Sequence, residues 1–280
     1  MRNEEEMFQL IINTAKKDDR IRAAYLEGSR ANPEVKKDRF QDYDIVYIVE
    51  ETTSFIKDIS WIDIFGERLF MQYPDEFSDS TTDKSQCYGW LIQFTDGNRL
   101  DLHVCTLDYA LKHLEVYQVL LDKDNILPSP PHNMQSIYWV KKPSEKEFLE
   151  TCNEFWWCLN NIGKGIKRDE IPYVLEILDS ILRPMYKKML IWYIGIHNDF
   201  HVNAGKGGKY LKQYLPEKMY NQFMSSYYFH DTDSLWQLFF NLCINFDHLA
   251  KSIANNLSYS YNQEEANNSF QFLKDIYDLT

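Results

Sequence analysis

Apolar residues recur along the first part of the chain in two rhythms. Met7, Phe8, Leu10, Ile11 and Ala15 share one helical face behind Asn3 and Glu6, whose spacing is that of a capping box, so the chain should open with a helix. Residues 21–27 (IRAAYLE) and 42–50 (DYDIVYIVE) are rich in β-branched and aromatic side chains and read as strands. Between them, residues 30–41 are polar, contain Pro33 and read as a loop. A helix near 55–65 and a strand near 67–73 follow. Two further apolar runs, 87–95 and 98–105, meet at Asp96-Gly97-Asn98, a strong hairpin signal. Residues 107–115 read as a helix, and 116–121 as a short strand or a continuation of that helix.

The pattern changes after residue 122. Pro128, Pro130, Pro131 and Pro143 mark a linker, and beyond it the periodicity is helical almost throughout. Ser144 and Glu147 begin a helix running to about 167. Pro172 suits a first turn, whereas Pro184 should kink or break the pattern spanning 172–200. Helices near 208–214, 216–227, 233–257 and 263–278 complete the chain. The expected class is α+β: a mixed-sheet domain over 1–125, a linker over 126–143 and an all-helical bundle domain over 144–280.

Composition narrows the possible partners. Thirty Lys and Arg against 42 Asp and Glu give 280 residues a net charge of −12. That balance disfavours broad nucleic-acid binding, which needs basic surface to displace counterions, and suits a cationic small ligand. An apolar share of 44% with 26% charged residues excludes a disordered tail, and 15% aromatics must build much of the core. Five cysteines without a CxxC pair suggest reduced, buried thiols. There is no apolar signal core at the N-terminus and no run near the ~20 apolar residues of a bilayer span. A cytoplasmic monomer without a membrane partner is expected.

The chemistry concentrates in three places. Asp42 and Asp44 stand two apart at a strand start, so they should share one face, about 6.5–7 Å apart. Two carboxylates so placed repel unless a cation lies between them, and hard oxygen ligands suit Mg²⁺. Otherwise they are solvated aspartates at a strand end. Gly28-Ser29 lies just past the preceding strand, where free N–H groups and a hydroxyl can hold phosphate oxygens. Asp101 alternates with Leu100 and Leu102 and shares its face with His103. A carboxylate there either faces solvent on an edge strand or has a metal or a substrate proton as its partner.

Glu27-Gly28-Ser29-Arg30, then Asp42-Tyr43-Asp44, then Asp101, resembles the polymerase-beta-like nucleotidyltransferase superfamily. The wider segments LEGSRAN, FQDYDIVYIV, IFGERLFMQ, DGNRLDLHV, LLDKDN, NEFWWCLN and GKGGKYLKQYL are similar to the aminoglycoside 6-adenylyltransferases, which modify streptomycin. These segments spread over residues 26–215. The resemblance implies a nucleotidyltransferase domain followed by a helical domain that serves substrate and nucleotide. It implies AMP transfer from ATP to a drug hydroxyl, the streptomycin 6-OH, with Mg²⁺ as cofactor and pyrophosphate released. Asp42, Asp44 and Asp101 match the catalytic, metal-holding carboxylates, and Asp101 is the candidate to take the acceptor proton. Gly28 and Ser29 match the triphosphate-gripping turn.

The resemblance also implies a lysine from the helical domain on the phosphates. Lys209, then Lys206, in Gly205-Lys206-Gly207-Gly208-Lys209 are the candidates, with Lys164 behind them. The loop is not a Walker A motif, because Asn203 and Tyr210 stand where Gly and Ser or Thr would be needed. Streptomycin carries two guanidinium groups, so its site should offer carboxylates and aromatic faces. Glu154 and Trp157 lie near one helical face and are the acceptor-site candidates, with Trp156 turned away. The competing expectations are a transferase acting on another small molecule, a protein or a nucleic acid, and a binding module without catalysis. His197 and His201 have the spacing of a zinc helix, but Asn198 stands where the protease pattern needs Glu.

Overall fold

A computed structural model describes residues 1–131 and 134–279 of the chain. It divides into two compact units, Met1–Ile137 and Tyr138–Thr280.

In the first unit, α1 (Glu4–Lys17) opens behind Asn3, whose side chain accepts from Glu6 N while the Glu6 carboxylate accepts from Asn3 N, completing the capping box. Then come β1 (Ile21–Glu27), the one-turn helix α2 (Gly28–Ala31), β2 (Tyr43–Val49), the short α3 (Thr53–Lys57) and a 3₁₀ segment Ile59–Phe65. The helix expected over 55–65 is thus split, and Asp58 caps its second half through Ser60 N. β3 (Arg68–Gln72), β4 (Cys87–Phe94), β5 (Arg99–Thr106), α4 (Leu107–His113) and β6 (Gln118–Asp122) finish the unit.

The six strands form one mixed sheet in the order β3-β4-β5-β2-β1-β6. β2 and β5 run parallel, and the other neighbours are antiparallel. The β4–β5 hairpin turns through Gly97 at φ +87, and Arg2 clips it by pairing with Asp96 at 2.6 Å. Strand alternation divides the sheet into two faces. Tyr43, Ile45, Tyr47, Leu100, Leu102 and Val104 pack with Met7 and Ile11 of α1. Ala23, Tyr25, Val46, Ile48, Cys87 and Cys105 pack on the other face with Ala110 of α4. All five cysteines are free and buried.

The second unit is helical: α5 (Glu145–Lys167), α6 (Ile171–Ile177), α7 (Arg183–Ile196), α8 (Leu211–Tyr214), α9 (Glu217–Ser225), α10 (Thr232–Leu257) and α11 (Gln263–Asp278). Ser144 caps α5 by accepting from Glu147 N at 3.1 Å. Its core joins Phe148, Phe155 and Trp156 of α5 to Phe239 and Phe246 of α10, with the Phe155 and Phe246 rings stacked at 3.7 Å. Pro184 does not break the helical path. A π-helical turn, Leu178–Leu182, lies between α6 and α7, and its wider winding absorbs the bond that a proline without an N–H cannot make. Of the stretch read as a linker, Ile126 and Leu127 pack against the first unit and Val140 enters the core of the second. Among the described residues, no helix is long and apolar enough to cross a membrane.

Candidate active site

β5 is an interior strand, so Asp101 does not face solvent from an edge. The sheet register aligns Asp101 with Asp44 on the parallel neighbour β2, and Asp44 with Glu27 on β1. Alternation puts all three on the face opposite Leu100, Leu102 and Tyr43. Asp42, two residues before Asp44, has the same parity and stands just ahead of β2. Asp44 of the pair inferred from spacing and the third carboxylate inferred from the hairpin therefore belong, with Glu27, to one row across three strands, and Asp42 stands beside it.

Several charges of one sign on a half-buried surface raise one another's pKa. Burial, then the charges of Asp101 and Asp42, push Asp44 up to about 6. Burial, then Asp44 and Glu115, push Glu27 up to about 7. Burial also raises Asp42, and Arg99 opposes that rise. The arginine forks Asp101, donating from Nε to Oδ1 at 2.8 Å and from Nη2 to Oδ2 at 2.7 Å, and its Nη1 lies 3.6 Å from Asp42 Oδ2.

The turn after β1 is built against this row. Gly28 adopts φ +69, and a Cβ there would fall 2.1 Å from Asp44 Oδ2. Glycine is needed for both the backbone angle and the close approach. Arg30 ties the turn to the segment before β2. It donates from Nη2 to Gln41 O at 2.7 Å and from Nε to Asp42 O at 3.2 Å, and it stacks 4.0 Å from the Tyr43 ring centroid. Ser29 is half-buried, and its carbonyl accepts from Gln41 Nε2 at 3.2 Å.

Among the described residues no group of three or more His, Cys, Asp or Glu side chains is gathered closely enough to hold a metal ion. The donor chemistry nevertheless fits a hard cation. Three aspartates share a face, and behind burial, the larger cause, the charges of Asp101 and Asp42 also raise Asp44, a repulsion that a divalent ion would relieve. The spread of these carboxylates coincides with the Arg99 guanidinium lying against two of them.

Sequence reasoning missed three residues here. Glu27 and Arg30 entered it only as motif letters, and Arg99 only as a strand residue. The signal for Glu27 was its place at the end of a strand, directly before the Gly28 turn; its register with Asp44 is set in the structure. No spacing rule pointed to the arginines.

The helical unit holds the remaining candidates. Lys206 and Lys209 are exposed on one loop in which Gly205, Gly207 and Gly208 all have positive φ. Lys209 Nζ lies 5.1 Å from the Tyr210 ring centroid. Lys164 is exposed on α5 and donates to Asn160 at 2.5 Å. Trp156 is buried, while Trp157 is 68% exposed. Trp157 lines a cavity of about 670 Å³ together with Phe272, Glu264, Glu265 and Asn268. Glu154 is exposed but is not part of that lining, and its Oε1 lies 3.6 Å from Cys158 Sγ. His197 and His201 do not share a helix. α7 ends at Ile196, Asp199 and Phe200 have positive φ, and His201 packs edge-on against Trp139, so the zinc-helix alternative has no geometry behind it.

The sequence profile described as streptomycin adenylyltransferase matches residues 1–276. The chain belongs to the streptomycin adenylyltransferase family. Members of similar sequence include an aminoglycoside 6-adenylyltransferase of Bacillus subtilis (strain 168), 35% identical over 93% of each chain. Another is an aminoglycoside 6-adenylyltransferase of Campylobacter jejuni, 35% identical over 93% of this chain and 91% of that one. The enzyme of the same name from Staphylococcus aureus is 32% identical over 95% and 96% of the respective chains. A crystal structure of an aminoglycoside 6-adenyltransferase from Bacillus subtilis matches with a TM-score of 0.50 and 31% identity over the whole of both chains. As a member of this family the chain is a nucleotidyltransferase with the α+β fold that the sequence pattern implied.

Proposed function

We propose that the chain transfers AMP from ATP to a hydroxyl of an aminoglycoside, the 6-OH of streptomycin, with Mg²⁺ as cofactor. The observation that carries this reading is the in-register row Glu27–Asp44–Asp101, with Asp42 beside it and the Gly28 turn pressed against Asp44. Family membership supports the donor and the acceptor class.

Each residue has a definable task. Gly28 lets the turn approach the phosphates without a side chain, and Ser29 offers a hydroxyl and backbone donors to the triphosphate. Asp42, Asp44 and Asp101 would hold magnesium, which when bound offsets phosphate charge and aligns the attacking and leaving oxygens. In the reaction the acceptor oxygen bonds to the α-phosphorus, and the bond from that phosphorus to the bridging oxygen breaks. Pyrophosphate leaves, and Asp101 takes the hydroxyl proton as general base. Lys209, with Lys206 and Lys164 behind it, would offset the leaving charge.

Trp157 and Glu154 are the acceptor-site proposals. The cavity beside Trp157 supports the first, because aromatic faces with the carboxylates Glu264 and Glu265 suit a guanidinium-bearing ligand. The enzyme is proposed to work as a cytoplasmic monomer, where ATP is supplied.

The test is incubation with Mg²⁺, ATP and a panel of aminoglycosides, following pyrophosphate release and product mass. A streptomycin product heavier by one adenylyl group is expected. ATP turnover with none of the panel adenylylated would overturn the acceptor assignment in favour of a different small molecule, a protein or a nucleic acid.

A further inference from the structure

Asp101 has two carboxylate oxygens, and Arg99 occupies both. The same guanidinium reaches toward Asp42 at 3.6 Å. Among the described residues, these two aspartates are the ion-pair partners of Arg99. A hard divalent cation draws on the same oxygens, and the guanidinium's fixed positive charge beside them repels it, so guanidinium and metal compete for the negative charge of this pair.

The two sides of the fork differ in freedom. The Asp101 side chain is 12% exposed within an interior strand, whereas the Arg99 side chain is 43% exposed at the first position of β5. Of the two, the arginine is the one able to move away. A guanidinium keeps its charge at any working pH and matches phosphate oxygens in the same two-pronged geometry with which it holds a carboxylate. The anion that arrives with the metal is the nucleotide triphosphate.

We propose that Arg99 is a resident counter-cation: it pairs Asp101 and Asp42 while the metal is absent, competes with the metal for them, and moves to the triphosphate when metal and nucleotide bind. The assignment rests on the magnesium and ATP of the proposed function. It makes the binding of the two partners mutually favourable, because each offsets a cost that the other would otherwise meet alone. Such coupling is reciprocal. It also gives a physical reason why the carboxylates are not gathered as a metal-ready cluster in this conformation.

The experiment measures Mn²⁺ binding to the full-length protein by electron paramagnetic resonance, with and without a non-hydrolysable ATP analogue. Wild type should bind Mn²⁺ weakly alone and more tightly with the analogue. In Arg99→Gln, Mn²⁺ alone should bind roughly tenfold more tightly, and the tightening by the analogue should shrink. Arg99→Lys, which keeps the charge but loses the fork, should fall between them. Equal or weaker Mn²⁺ binding by Arg99→Gln overturns the proposal while leaving the metal assignment standing. Failure of wild type to bind Mn²⁺ even with the analogue refutes the metal assignment itself, and this role for Arg99 with it. If Arg99→Gln unfolds more readily in chelator, added Mn²⁺ should restore its thermal midpoint to that of wild type; no recovery would identify a purely structural arginine.

Discussion

Gly28 and Asp44 are so close that one added carbon cannot fit between them: a Cβ on residue 28 would lie 2.1 Å from Asp44 Oδ2 and 2.7 Å from its Cγ. The contact ties the proposed phosphate turn to a proposed metal ligand. Gly28→Ala must therefore displace the carboxylate or the turn, and it adds the strain of a positive φ. We expect AMP transfer to fall by at least about a hundredfold, a loss typical of misplaced reacting groups. The far-ultraviolet circular dichroism should be unchanged, since the residue lies in a one-turn helix rather than in the core. Near-normal turnover in a folded Gly28→Ala protein would show that this contact is not part of the catalytic geometry.

Asp42→Asn and Asp44→Asn should each abolish AMP transfer while leaving the fold intact. Each swap removes a charged oxygen ligand and keeps the shape of the side chain. The check is pyrophosphate release at saturating Mg²⁺ alongside thermal unfolding. Full activity in either variant would remove that residue from the metal site.

The carboxylate row also predicts a pH dependence of stability in the absence of divalent metal. Asp44 and Glu27 have folded-state pKa values pushed up to about 6 and about 7. A raised carboxylate favours the folded state below its unfolded pKa, near 4, and that contribution is lost as pH climbs through the folded value. The thermal midpoint in chelator should therefore fall by several degrees from pH 5 to pH 8. Magnesium added at pH 8 should recover part of that loss, because a bound cation stabilises the buried, mutually repelling carboxylates in their charged form. Asp44→Asn should flatten the profile. A midpoint in chelator that rises across this range would contradict the electrostatic account.

Strand alternation explains how much of this site was legible from the residues. Leu100, Leu102 and Val104 on one parity put Asp101 on the other, and the hairpin at Asp96-Gly97-Asn98 fixed its strand partner, β4. What alternation cannot give is the parallel pairing of β2 with β5, which is non-local and brings Asp44 level with Asp101. Nor could it assign Arg99 or Arg30, since a long flexible side chain can reach many partners from one backbone position. Pro184 was a real irregularity, but its sign alone could not distinguish a break from a π turn. In the helical unit, periodicity turned Trp156 away from Trp157, and the two differ in burial, yet both line the same cavity. It placed Glu154 near Trp157, whereas the acidic side chains lining that cavity come from α11, more than a hundred residues away.

Asp101→Asn should lower kcat much more than it raises the KM for ATP. Its proposed role lies in proton removal and metal alignment at the reacting oxygen, and an interaction made mainly in the transition state is lost from turnover rather than from substrate binding. Steady-state kinetics with each substrate varied in turn provide the check. A change confined to the KM for ATP would reassign Asp101 to nucleotide binding.

The two adjacent tryptophans should respond in opposite ways. Trp156 is 2% exposed and packs edge-on against Phe155 and Phe246, so Trp156→Ala removes a large ring from the core. That change should cost about 3–5 kcal/mol of stability, read as an earlier denaturation midpoint. Trp157 is 68% exposed on the rim of the cavity shared with Glu264 and Glu265, so Trp157→Ala should leave the midpoint nearly unchanged. If that cavity receives the guanidinium groups of the acceptor, the loss of one aromatic face weakens a cation–π contact. The KM for streptomycin should then rise roughly five- to thirtyfold, as expected for ~1–2 kcal/mol, with kcat and the KM for ATP little affected. An unchanged streptomycin KM would place the acceptor elsewhere, and Glu154→Gln would then test the other acidic candidate on α5 by the same split.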